Sequence, residues 1–251
     1  LRYFIEFAYN GTHYHGWQYQ PNAVTVQETL SKVFSTLLQE EIEIVGAGRT
    51  DTGVHASQMY GHFDTEKNID KAKLIYKANS FLPKDIAIYD IIPVHAEAHA
   101  RFDATSRTYN YHIATKKDIF GNEISWFNQL PLDLEAMNEA AKILLDFTDF
   151  QCFSKSNTDV FTYNCKITEA YWRKENNTLI FTITADRFLR NMVRAIVGTL
   201  VNIGLHKINK EDFIQIIESK DRKKAGFSVP AQGLFLTNIK YPYINKENES
   251  I

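Results

Sequence analysis

From Arg2 to Tyr9 the chain alternates, with Tyr3, Ile5, Phe7 and Tyr9 on one side, and Asn10-Gly11 breaks the run. That pattern predicts a strand followed by a turn. Thr25-Val26-Gln27-Glu28 has the form of a capping box, and Val26, Leu30, Val33, Phe34, Leu37 and Leu38 share one face at helical spacing behind it. An amphipathic helix is expected there. Glu41 to Val45 alternates as a short strand and runs into Gly46-Ala47-Gly48-Arg49-Thr50-Asp51-Thr52-Gly53, after which Met59 to Phe63 is strand-like again. A helix over Lys71 to Phe81, stopped by Pro83, precedes a strand over Ile86 to Val94.

The second part of the chain repeats this vocabulary. Ser106 to Ala114 alternates through Tyr109, Tyr111 and Ile113, and Leu134 to Leu145 places Met137, Ala141, Leu144 and Leu145 on one helical face. Lys166 to Arg173 and Thr178 to Ala185 flank Glu175-Asn176-Asn177 as a hairpin. Phe188 to Ile203 is the strongest helical segment, Lys210 to Glu218 is another, and Leu234 to Tyr241 closes as a strand. The order implies an α+β protein of two related halves, residues 1–105 and 106–243, with a polar tail at 244–251. The halves would share a mostly antiparallel central sheet with helices on one side, and a cleft between them would be a natural binding site.

Composition narrows this little. With 251 residues, 44% of them hydrophobic and 23% charged, the chain is long enough for a buried core and is not of a disordered or fibrous type. Seventeen Phe and thirteen Tyr against three Met and three Trp imply cores built mainly on rings. Cys152 and Cys165 form no C-x-x-C pair and no signal-like leader precedes them, which is the usage of a reducing cytoplasm. No apolar run is long enough to span a membrane. Leu1 already lies inside a strand pattern, so a few native residues are expected upstream. A net charge of −2 counts mildly against a nucleic-acid partner and leaves the matter to local basic clusters.

The chemistry concentrates in Gly46 to Gly53. Three glycines in eight residues are expected to supply backbone conformations that other residues resist, and the only carboxylate in the loop is Asp51. Taken alone, the loop favours Asp51 as a turn cap paired with Arg49 at the surface over a presented carboxylate. The Gly-Ala-Gly-Arg start lacks the Gly-Lys-Ser/Thr ending of a phosphate loop. His13 and His15 have the spacing of a metal pair without a third ligand nearby.

Gly48-Arg49-Thr50-Asp51-Thr52-Gly53-Val54-His55-Ala56 resembles the signature of the TruA family of tRNA pseudouridine synthases, with Thr52 where the usual form has Ala. Four further segments resemble that family in order. They are Gly16-Trp17-Gln18 with Val26-Gln27; His99-Ala100-Arg101-Phe102 with Ala104-Thr105, Arg107, Tyr109 and Tyr111; Met192-Val193-Arg194 with Ile196-Val197-Gly198; and Gly233-Leu234 with Leu236. The resemblance implies an isomerisation of uridine in the anticodon stem-loop of tRNA, at positions 38, 39 and 40. The N1–C1′ bond breaks, the uracil turns, and C5 bonds to C1′.

On that resemblance Asp51 is the catalytic carboxylate, acting as nucleophile, as a stabiliser of charge at C1′, or as a base on the sugar. Arg194 would hold its charge, and Tyr109 would stack on the uracil and take or relay the C5 proton. Leu234 would be an apolar wall of the pocket, and Arg49 would serve the loop or the RNA. Arg101 would bind the substrate backbone, with Arg107, Arg187 and Arg190 as further candidates. The cleft between the halves would bind RNA, and His55 and His99 would hold loops. The resemblance also implies a cytoplasmic homodimer that needs no metal and no small-molecule cofactor. Two other functions fit the same residues: a synthase acting at another RNA position, and a catalytically silent RNA-binding module of the same fold.

Overall fold

The computed structural model describes residues 1–155 and 161–244, so all of the expected polar tail except Ile244 lies outside the described residues. The chain forms two compact units, one of Leu1–Thr105 with the chain from Phe235 onward, the other of Ser106–Leu234.

The first unit contains β1 (Arg2–Tyr9), α1 (Val26–Leu38), β2 (Val45–Gly46), β3 (His55–Asp64), α2 (Lys71–Phe81) and β4 (Ile86–Val94). Thr25 caps α1 by accepting from the Glu28 amide, and Asp70 caps α2 by accepting from Lys73. β1 pairs antiparallel with β3 on one edge and β4 on the other. Its alternation holds only in part, because Phe4, Ile5, Glu6 and Phe7 are all buried. A strand paired on both edges and covered on both faces loses the simple in–out pattern. Phe34 of α1 meets Phe63 of β3 edge-on, with ring centroids 5.2 Å apart.

The strand expected over Glu41 to Val45 is confined to Val45–Gly46. Ile42 and Ile44 are buried, as their alternation suggests, but their amides bond elsewhere. The Ile42 amide donates to Ser35 Oγ at 2.9 Å and the Ile44 amide to Ser31 Oγ at 3.2 Å, while Gln27 Nε2 donates to the Ile44 carbonyl. Helix α1 therefore satisfies this segment's backbone in place of a strand partner.

The second unit contains β5 (Ser106–Ala114), β6 (Trp126–Phe127), α3 (Leu134–Ile143), β7 (Ile167–Glu175), β8 (Thr178–Ala185), α4 (Met192–Gly204) and α5 (Lys210–Ser219). The hairpin β7–β8 turns through Asn176 and Asn177, with Asn176 at φ 52°. The strand order is β5-β8-β7, with Tyr109 opposite Ile183. Helix α4 begins at Met192, not at Phe188, because Asn191 stands at φ 67° and breaks the helical run ahead of it.

The closing strand β9 (Leu234–Lys240) runs parallel to β3, pairing His55 with Phe235 and Ala56 with Leu236. From Phe235 onward it therefore groups with the first unit, where the order is β4-β1-β3-β9. Sequence order alone places this strand with the second half; pairing with β3 is a long-range choice that local periodicity does not carry. The α+β class stands: the described strand pairs are mostly antiparallel and five α-helices accompany them.

Candidate active site

In the first unit Asp51 is half-buried on the loop between β2 and β3, while Arg49 is exposed. The loop is tied along its length. The Ala47 amide donates to the Tyr60 carbonyl at 2.8 Å, the Trp17 amide to the Thr50 carbonyl at 3.2 Å, and the Val54 amide to the Asp51 carbonyl at 3.1 Å. Thr50 is buried, and its hydroxyl meets the Tyr9 hydroxyl at 2.8 Å. Asp51 thus follows a residue anchored through both its carbonyl and its side chain.

Of the loop's three glycines only Gly53 has positive φ, at 77°. Gly46 is required for a different reason: a Cβ there would stand 2.5 Å from the buried Trp17 ring. Gly48 faces open space. The remaining backward bend belongs to Gly16, at φ 85°, where a Cβ would stand 2.5 Å from the Thr50 carbonyl oxygen. The Gly16-Trp17-Gln18 segment is therefore a support for the Asp51 loop, a link that no spacing along the chain reveals.

In the second unit Tyr109 lies half-buried on β5, its ring edge-on to Phe188 with centroids 5.1 Å apart. Arg194 sits in the first turn of α4, half-buried, and its Nε donates to the Val229 carbonyl at 2.6 Å while the Val229 amide bonds back to the Arg194 carbonyl. Leu234 is buried just after a short 3-10 turn, Ala231–Gly233.

The chain from Gly226 to Pro230 positions this group. Gly226 donates to Thr199 Oγ1 at 2.8 Å, and Asn191 Nδ2 donates to Ser228 Oγ at 2.6 Å. Arg222 donates to the Gly226 carbonyl and to Ser228 Oγ, and Tyr111 donates to the Pro230 carbonyl at 2.8 Å. Burial raises the Tyr111 pKa, so its proton stays in place. Gly198 of α4 allows the approach, because a Cβ there would fall 1.8 Å from the Phe227 carbonyl oxygen. Within the basic run at 220–224, Arg222 is thus a structural clamp and Lys220 pairs with Asp149 at 2.7 Å.

The histidines hold loops. His55 is buried, stacked on Phe235 at 4.6 Å, and its Nδ1 accepts from the Gly11 amide at 3.0 Å. His62 Nδ1 accepts from the Ala100 amide, and burial pushes its pKa down to about 4. His99 Nδ1 accepts from the Arg101 and Phe102 amides, and burial lowers its pKa as well. Arg101 and Arg190 are exposed, Arg187 is half-buried, and Arg107 donates to the Asp186 carbonyl at 2.9 Å. His13 and His15 are both exposed, and no group of three or more His, Cys, Asp or Glu among the described residues could hold a metal ion. Two surface pockets of the second unit, of about 250 and 520 Å³, are lined by none of the candidate residues.

A profile described as tRNA pseudouridine synthase matches residues 6–103 and 140–242, which include Asp51, Arg194 and Leu234. This chain belongs to the tRNA pseudouridine synthase family. A tRNA pseudouridine synthase A from Parabacteroides distasonis is 54% identical over 96% of this chain and 96% of its own length. One from Bacteroides fragilis is 53% identical with the same coverage, and one from a Thermoanaerobacter species is 41% identical over 94% of this chain and 98% of its own. Such synthases are isomerases, and the chain is an enzyme of that class. Tyr109 falls between the two matched stretches. No helix among the described residues is long and apolar enough to cross a membrane.

Proposed function

We propose that the chain converts uridine to pseudouridine in the anticodon stem-loop of tRNA, at positions 38, 39 and 40, with Asp51 as the catalytic carboxylate. The observation that carries the reading is the Gly46–Gly53 loop, whose sole carboxylate follows a residue anchored by Trp17 and Tyr9. A reaction that breaks N1–C1′ and forms C5–C1′ needs a carboxylate at the sugar, held where it cannot turn away. The proton lost from C5 is balanced by one gained at N1, so no oxidant and no net water are consumed.

Arg194 supplies a guanidinium whose reach is fixed by its Nε bond to Val229, which suits it to favour a carboxylate anion. Tyr109 offers the uracil a ring and a hydroxyl, and Leu234 an apolar wall. Arg49 and Arg101, both exposed, act on phosphates. The target base must leave its stack to react, at a cost of a few kcal/mol that pocket contacts recover. The positions in tRNA, the homodimer and the cytoplasmic setting follow from the family resemblance.

Mapping pseudouridines in unmodified tRNA transcripts treated with the intact chain tests the reading. Product at 38, 39 or 40 is expected. Product at other positions alone would refute the site preference, and no product in any tRNA would refute the activity.

A further inference from the structure

Phe102 is 72% exposed, one of several exposed phenylalanines, and what sets it apart is how it is held. It is not a loose ring. Its ring centroid lies 4.3 Å from that of the His99 imidazole at a tilt of 38°, and the Arg101 guanidinium carbon lies over the ring, 5.5 Å from its centroid. His99 in turn is fixed. Its Nδ1 accepts from the amides of Arg101 and Phe102, its own amide donates to Asp103 at 2.8 Å, and its ring packs against His62 at 4.7 Å. Asp103 is engaged a second time by the Tyr243 hydroxyl at 2.9 Å, and the Ala100 carbonyl accepts from Tyr241. A network of buried and half-buried polar groups thus holds one phenyl ring out in water.

Exposing such a ring forgoes the stabilisation that its burial would bring. We propose that Phe102 is a stacking platform for an unpaired base of the RNA, with Arg101 receiving the adjoining phosphate. The inference rests on the RNA-modifying reading above and adds a contact to it. Rigid aromatic faces beside a cation are how single-stranded nucleic acid is held without reading its sequence. A protein-docking face would gather apolar neighbours, whereas this ring is flanked in its loop by His99, Arg101, Asp103 and Thr105. Asp103, the one carboxylate among them, is turned toward the loop itself, where it accepts from the His99 amide and from Tyr243.

The test compares the intact chain with Phe102→Leu and Phe102→Trp on an unmodified tRNA transcript carrying uridines at 38 to 40. Leucine keeps apolar bulk without a π face, and the exposed position leaves folding undisturbed. Phe102→Leu is expected to raise KM and the RNA dissociation constant about 5- to 50-fold. At saturating RNA its kcat should stay within about twofold, the signature of lost uniform binding. Phe102→Trp should bind at least as tightly as the intact chain. Unchanged KM in Phe102→Leu overturns the proposal, as does an equal loss in both variants. Unchanged KM with a changed oligomeric mass would assign the ring to a protein contact instead. An intact chain that neither binds nor modifies the tRNA would defeat the functional reading itself, a result separable from all of these.

Discussion

Two glycine-punctuated segments carry the candidate chemistry, and they are held by different means. Gly46 to Gly53 is tied by backbone amides donating to backbone carbonyls, with one buried hydroxyl pair, Tyr9 and Thr50, added. Gly226 to Gly233 is tied mainly by side chains: Thr199, Asn191, Arg222 and Tyr111 each bond into it, beside one backbone bond from Val229 to Arg194. The first segment presents a reactive side chain of its own. The second positions Arg194, which lies on a helix, and leads into Leu234. A loop that must aim one carboxylate gains from fixing the backbone around it. A segment that buttresses a helix can rely on groups from that helix.

The contrast can be broken from either side. Gly198→Ala should have the largest effect on stability, because its Cβ would meet the Phe227 backbone oxygen at 1.8 Å and a carbonyl cannot rotate away. Overpacking of this kind costs about 2–3 kcal/mol. That corresponds to a fall in Tm of roughly 5–10 °C for a chain of this size, readable by thermal melting. A wild-type Tm would show that α4 and the 226–230 segment are not in close contact. Tyr9→Phe removes the hydroxyl that meets Thr50 and should cost about 1 kcal/mol of stability. Its sharper readout is kinetic: kcat should fall while KM holds, because the loop beside Asp51 loosens. An unchanged kcat would reduce the Tyr9–Thr50 pair to packing. Gly48→Ala should do almost nothing, within about 0.5 kcal/mol, since no atom lies within 4 Å of the added Cβ. A large loss of stability there would mean that Gly48 does not face open space.

Local pattern made most elements legible in the sequence. β1, α1, α2, β4, β5 and β8 occupy the residues their periodicity and caps predicted, because those signals are short-range. Where the structure departed, a distant partner decided. The buried alternation at Ile42 and Ile44 was real, yet Ser31 and Ser35 of α1 took the amides that a strand would have paired. Helix α4 starts four residues late because Asn191 turns back toward Ser228, thirty-seven residues away in sequence.

The candidate site divides in the same way. Asp51 was visible as the sole carboxylate of a glycine-rich loop, and family resemblance chose between its two meanings. The reasons for the glycines were not visible. Two of the three expected to bend the loop do not, and one of those two is small only to admit Trp17. Arg222 lies in the basic run Lys220 to Lys224, whose sequence fits a solvated loop and an RNA contact alike, and only the Ser228 and Gly226 contacts reveal it as a clamp. Phe102 lies within a motif of the resemblance, and nothing in that pattern shows that its ring stands exposed.

Single-turnover pseudouridine formation by Asp51→Ala, measured beside RNA binding and thermal melting, tests the central claim most directly. The account predicts no product, with tRNA binding and Tm close to those of the intact chain. Pseudouridine formed by Asp51→Ala at a rate comparable with the intact chain would contradict it.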